Sequence, residues 1–264
     1  MPTFPAPLPG SRVVLVAGGG RGIGRACALR FAAGGHCVAV VARSVEEVDE
    51  VAGLIHEGGG RSLSAVCDVT DPRSVQAAVE ACARRLGPVD ILVNSAGQSL
   101  REPLAVVDLE AFRRALEVNL TGAFITTRAV LPGMLERGFG RVVNVASAAG
   151  LRGHRDMGPD GAAKHGLVGL TRALGLEVAR RGVTVNAVCP GWTDTETLAG
   201  AVAALGQRTG QGEEEALGTL LSGVPTGRAA SPEAVAALVC FVASDEAGDI
   251  TGAALPVDGG MSAG

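Results

Sequence analysis

The chain contains no tyrosine, and only one tryptophan and six phenylalanines in 264 residues. Any proton transfer that a phenol would serve has to fall to another group. Histidine is sparse as well. The four histidines are scattered with no ligand-like pair, so no protein metal site is expected. The six cysteines, Cys27, Cys37, Cys67, Cys82, Cys189 and Cys240, show no metal-type pairing. Five of them fall in segments read as strands or helices, where cysteine packs as a small hydrophobe. That usage fits a reducing, cytoplasmic compartment. No apolar run approaches the roughly 20 residues of a membrane span, which argues against a membrane protein. The opening MPTFPAPLPGS lacks a basic and an apolar signal region, and residues 1–11 read as a loose arm. Neither charge sign dominates: 23 basic against 27 acidic residues give a net −4, with the signs interspersed and no nucleic-acid footprint.

Glycine is what the chain has in abundance, with 39 residues, and 47% of the sequence is hydrophobic. That length and content suffice for one large α/β domain, read as residues 12–264. Its organising stretch is residues 13–43. Residues 13–16 are a short β-branched run typical of a buried parallel strand. A glycine cluster, Gly18-Gly19-Gly20-Arg21-Gly22-Ile23-Gly24, precedes a helical pattern over 25–33. A second apolar run over 37–41 closes a strand–helix–strand unit of about thirty residues. The glycines let backbone N–H groups approach an anion at a helix N-terminus, and a pyrophosphate is the natural occupant. Alone, such a loop serves any tight turn; between a strand and a helix it points to nucleotide binding.

The alternation continues along the chain. An amphipathic helix over 45–57 ends at Gly58-Gly59-Gly60, and 62–67 is a strand. Asp71 and Pro72 cap and start a helix to about Leu86, and 90–93 is a strand. A helical segment over 108–137 is broken near 119–122. Strands at 141–146 and 183–189 flank a helix over about 160–180. Ser231 and Pro232 start another helix, and 255–257 is a last short strand. Residues 192–225 are the least regular. This pattern predicts a parallel sheet covered by helices on both faces. Ligands of such sheets bind outside the carboxyl ends of the strands, which directs attention to 18–24, 43–44, 68–69, 94–97, 147–159 and 190–196.

Seven short stretches then appear in order: AGGGRGIG at 17–24, CDVTD at 67–71, NSAG at 94–97, NLTG at 119–122, NVAS at 144–147, AAKHGLVGLTRAL at 162–174 and VNAVCPGWTDT at 185–195. Through them the chain resembles the short-chain dehydrogenases/reductases from about residue 13 to residue 260. Its later half is most similar to bacterial ketoreductases acting on β-ketoacyl thioesters, including those of aromatic polyketide pathways. The resemblance implies a doubly wound, seven-stranded Rossmann sheet and a homotetramer or dimer built on the long helices. It implies that Gly18, Gly22, Ile23 and Gly24 form the phosphate loop, with Ala17 where the family usually has threonine. It pairs Asp68 and Val69 with the adenine, and puts Asn94, Ala96 and Gly97 on the loop that lines the adenosine side and supports the sheet. Pro190, Gly191, Thr193 and Thr195 fall on the segment that holds the nicotinamide carboxamide. Charge then bears on the choice of cofactor. An acid at the end of the second strand would repel a 2′-phosphate; here Ala42 is followed by Arg43, with Arg21 in the glycine loop. Two guanidinium groups suit a phosphate, so NADP(H) is expected over NAD(H).

The resemblance also implies the catalytic group: Ser147 against the substrate oxygen, Lys164 against the nicotinamide ribose, and Asn119 continuing a proton path. The family's tyrosine falls at Asp160. A phenol titrates near 10, whereas a carboxyl titrates near 3.9 and lower beside an ammonium. Asp160 is therefore expected ionised, paired with Lys164 across one helical turn and facing the helix dipole. Three readings stay open: a working reductase with another proton source (water held by Ser147, His154 or His165), a cofactor-binding pseudo-enzyme subunit beside an active homologue, and an inactivated reductase. The substrate is expected to be a small carbonyl compound or alcohol, a β-ketoacyl thioester first and a cyclic or aromatic ketone second. Residues 192–225 are expected to form a lid, with Trp192, Leu198, Ala201 and Leu205 as an apolar wall and the glycines loosening the rest. Arg101, Arg152 and Arg155 are candidates for attracting an anionic or phosphopantetheine-bearing substrate. Both 108–137 and the helix after Asp160 are rich in Ala, Leu and Val and want a partner face.

Overall fold

The computed structural model describes residues 10–263. The arm expected over 1–11 falls mostly outside the described residues; within them, Ser11 Oγ already donates to Gly35 O at 2.9 Å. Seven strands form one sheet: β1 Val13–Ala17, β2 Cys37–Ala42, β3 Arg61–Val66, β4 Ile91–Asn94, β5 Gly140–Val145, β6 Val183–Pro190 and β7 Ala254–Val257. Their spatial order is β3-β2-β1-β4-β5-β6-β7, and every pairing is parallel. The expected doubly wound, seven-stranded α/β fold is the one observed.

Valine-rich strands make this sheet because both faces are covered. Val14 and Val16 pack on one side against α1 (Gly22–Ala33), α2 (Val45–Glu57) and α9 (Pro232–Val242). Val13, Leu15 and Ala17 pack on the other against α3 (Pro72–Arg85), α5 (Gly122–Arg137) and α6 (Gly158–Val178). Burying each such valine or leucine is worth about 1.5–3 kcal/mol. Side-chain caps set the helix starts. Ser44 Oγ accepts from Glu47 N, Asp71 from Arg73 N ahead of Pro72, and Ser231 from Ala234 N ahead of Pro232.

Three expectations about elements change. First, α1 begins at Gly22, not Arg25, so Gly22, Ile23 and Gly24 lie in its first turn. Second, the break in the long helical segment is a π turn, Glu117–Thr121, between α4 (Leu109–Leu116) and α5. Such turns place a side chain out of helical register and recur at functional sites. Third, 192–225 is regular: it holds α7 (Glu196–Thr209) and α8 (Glu213–Leu221). Their apolar sides form a small cluster of Leu198, Val202 and Ala216 with Trp192, Leu205, Leu217 and Leu220. The glycines that suggested looseness are accommodated: Gly206 sits inside α7, and Gly210 ends it at φ 76°.

Strand order reverses between β1 and β4, which opens a cleft at the carboxyl end of the sheet. One glycine is required there. Gly18 has φ +78°, and a side-chain carbon on it would stand 2.5 Å from Ala96 N. The loops after β1 and β4 thus meet backbone to backbone.

Candidate active site

A cavity of about 740 Å³ fills this cleft. At one end it is lined by Gly18, Gly20, Arg21, Gly22 and Ile23 from the loop and first turn before α1. Arg43, Asp68, Val69, Ala96 and Gly97 line it beside the strand ends. Asn119, Ser147, Asp160 and Lys164 line its middle, with Pro190, Gly191, Thr193 and Thr195 after β6. All of these were expected from the sequence.

Two expected cofactor residues are not on the cavity wall. Asn94 is buried at the end of β4, where its amide donates to Asn144 Oδ1 at 2.9 Å and Thr127 Oγ1 at 3.1 Å. Its Oδ1 accepts from Thr126 Oγ at 2.6 Å. It joins two strands to α5. Gly24 packs against the carbonyl of Gly18, so it shapes the loop from behind.

Lys164 is the only lysine of the chain. Half-buried on α6, it donates from Nζ to Val145 O at 3.0 Å, and burial lowers its pKa to about 8. Ser147 follows β5, and its Oγ accepts from Ala149 N at 3.1 Å. Asn119 is buried in the π turn. It holds Gln98 from both sides, Nδ2 donating to Gln98 O at 3.0 Å and Oδ1 accepting from Gln98 N at 3.2 Å.

Asp160 departs from its expected surroundings. Only 4% exposed, it accepts from Ser99 Oγ at 2.9 Å and from Leu100 N at 3.1 Å to each carboxylate oxygen. Among the described residues no ion pair joins it to Lys164. Burial pushes its carboxyl up from the ordinary aspartate value, outweighing the hydrogen bonds and the attraction of Lys164. The sequence predicted the opposite direction. The stability consequence has a definite sign. A raised folded-state pKa means that ionisation opposes folding; this group's stabilisation is full below the unfolded pKa and lost as pH rises through the folded one. Asp160→Asn, which keeps an acceptor, is expected to raise Tm near neutral pH and to lose that advantage near about pH 3. A Tm that falls at neutral pH in a thermal scan would contradict this.

Arg21 and Arg43 both reach the cavity, but Arg21 stands between Glu47 at 4.0 Å and Glu196 at 3.9 Å. Arg43 is exposed. Of the two histidines considered as proton sources, His154 lines the cavity and His165 is exposed and does not. Burial and the cations Arg152 and Arg101 lower the His154 pKa. Trp192, Leu198, Ala201 and Leu205 form the expected apolar wall, and Arg101 and Arg152 line the same end. Arg155 does not; its side chain is 94% exposed. The sequence reading missed Ser99, Gln98 and Arg208, which also line the cavity and carry no local pattern that marks them.

A family model described as enoyl-(acyl carrier protein) reductase matches residues 17–262. The chain is 41% identical over 253 residues to a protein of Streptomyces coelicolor assigned as a ketoacyl reductase, covering 95% of this chain and 97% of that one. It is 38% identical over 255 residues to 3-oxoacyl-[acyl-carrier-protein] reductase MabA of Mycobacterium tuberculosis, covering 96% and 94%. Among solved structures, a tryptophan variant of actinorhodin polyketide ketoreductase with NADPH superposes with a TM-score of 0.93 at 40% identity, covering 97% of this chain and 99% of that one. Sheet order, cavity and near-full-length likeness agree: the chain belongs to the short-chain dehydrogenase/reductase family.

Proposed function

We propose that this protein is an NADP(H)-dependent oxidoreductase that interconverts a ketone and a secondary alcohol, with turnover reduced because Asp160 occupies the family's tyrosine position. The observation that carries the reading is one cavity shared by the glycine loop, Ser147, Asn119 and Lys164. The NADPH complex of the actinorhodin ketoreductase and the ketoacyl reductase names among the relatives support it.

The chain fits the cofactor. Gly18, Gly20 and Gly22 leave room for a pyrophosphate at the start of α1, and Arg21 and Arg43 flank the place for a 2′-phosphate. Asp68, Val69, Ala96 and Gly97 would receive the adenosine, and Pro190, Gly191, Thr193 and Thr195 the carboxamide. When bound, the nicotinamide supplies or accepts the hydride. Ser147 Oγ donates to the substrate oxygen, and the Lys164 ammonium offsets the negative charge that grows there. Asp160 does not replace a phenol: it is a shorter side chain, and both of its oxygens are engaged with Ser99 and Leu100. The proton then comes from water held at Ser147. A β-ketoacyl thioester is the lead substrate, and a cyclic ketone the second. The test is a panel of both ketone classes with NADPH and NADH, read as loss of reduced-nicotinamide absorbance; preference for NADH, or no consumption with any ketone even at high protein concentration, sinks the reading.

The same proposal takes residues 12–264 as one domain, with α7 and α8 as the lid, in a cytoplasmic homotetramer. Leu109, Phe124 and Leu176 expose 61%, 46% and 84% of their surface on α4, α5 and α6, and such faces call for a partner. Light scattering is expected to give about four times the 26.4 kDa chain mass; a monomer mass at micromolar concentration refutes this part.

A further inference from the structure

We propose that Arg101 receives an anionic group carried by the substrate, and that Asp160 is the positioning residue that holds Arg101 in place. The proposal rests on the oxidoreductase reading for what enters the cavity.

Residues 98–101 belong to no helix or strand, yet three successive residues are tied down. Gln98 is clasped by Asn119, Ser99 donates to Asp160, and the Leu100 amide donates to both oxygens of Asp160. The next residue is Arg101. Its guanidinium leaves this clamp over the ring of Trp192, 5.4 Å from the centroid, at the end of the cavity away from the glycine loop. A buried carboxylate spent on a loop is costly, so the loop's placement has a use.

Charges of both signs stand near Arg101, but those on the cavity wall at this end are positive. Arg152 and Arg208 line the same end, and Arg208 is near enough to repel it. His154 also lines this end and is held toward its neutral form. Asp156 attracts Arg101 but is not on the cavity wall; it lies 3.9 Å from Arg155. Among the described residues no carboxylate stands within ion-pair distance of Arg101. A partly desolvated guanidinium on the cavity wall, with no carboxylate in ion-pair distance, is a local attractor for anions. Its planar fork matches a carboxylate or a phosphate oxygen pair.

Two sources supply that chemistry: a carboxylate on the substrate itself, or the phosphate of a pantetheine arm. Calorimetry against NADPH-loaded and cofactor-free protein separates them. The probes are a cyclohexanone carboxylate beside its methyl ester, and the acetoacetyl thioester of phosphopantetheine beside that of pantetheine. At least one anionic member is expected to bind about tenfold or more tightly than its neutral twin, less so in high salt. A gain with the carboxylate assigns the substrate's own acid; a gain with the phosphorylated thioester assigns the arm. Arg101→Met is expected to erase the difference and Arg101→Lys to keep part of it. Asp160→Ala is expected to speed hydrogen exchange at the Leu100 amide and to cut the difference several-fold, whereas Asp160→Asn restores it. No preference in either pair, or a preference that survives Arg101→Met, overturns the anion site. Unchanged Leu100 exchange in Asp160→Ala overturns the positioning role. Anion preference without NADPH binding would instead sink the cofactor reading and leave this one standing.

Discussion

Asp160→Tyr is expected to raise kcat/KM on a shared ketone by about 10²- to 10⁴-fold, the usual worth of a placed general acid. Hydride arrival on a carbonyl carbon leaves charge on oxygen, which Ser147 and Lys164 can stabilise but a tyrosine would also protonate. Beside the Lys164 ammonium, a phenol at this position would have its pKa lowered toward the range where it gives and takes a proton. The gain has a structural cost. Tyrosine removes the acceptor of Ser99 Oγ and Leu100 N, so the loop before Arg101 loosens and Tm falls. Asp160→Phe separates the two effects: it loses the acceptor without adding a donor. A phenylalanine variant as fast as the tyrosine variant would show that removing the carboxylate, not adding the acid, was responsible.

Arg43→Asp is expected to reverse cofactor preference, from NADPH at least about tenfold tighter to NADH tighter. A carboxylate at this strand end accepts from a ribose 2′-hydroxyl and repels a 2′-phosphate. Arg43 is the residue to change because it is exposed on the cavity rim, while Arg21 is already shared between Glu47 and Glu196. Salt should weaken NADPH binding to the parent protein and leave NADH binding to the variant nearly unchanged. Calorimetry with both cofactors reads this directly; equal affinities in the parent protein contradict it.

Much of this architecture was legible because its causes are local. Runs such as Val13-Val14-Leu15-Val16 are apolar on both faces, which only a covered parallel sheet accommodates. Caps at Asp71 and Ser231 announce their helices. The loops that line the cavity follow from where strands end. What stayed hidden depends on distant partners. Asp160 meets Ser99 and Leu100 across 61 and 60 residues, and nothing beside it in sequence signals burial. Its i,i+4 neighbour Lys164 suggested an ion pair, but Lys164 turns to Val145 O instead. The resemblance put Asn94 on a loop that lines the adenosine side and supports the sheet; only the second role fits, because Asn144 and Thr126 claim its amide group. In 192–225 the glycines were read as loosening the chain; Gly206 lies inside α7, where packing of Leu198, Val202 and Ala216 outweighs its helix penalty.

The central claim is that hydride chemistry still takes place here without the tyrosine. It is tested most directly by incubating the unaltered protein and Asp160→Tyr with deuterated NADPH and the best-bound ketone, then weighing the alcohol by mass spectrometry. Deuterium on the carbinol carbon from both proteins, accumulating far faster with Asp160→Tyr, is the predicted result. Deuterium transfer by neither protein, with NADPH bound to both, would contradict it.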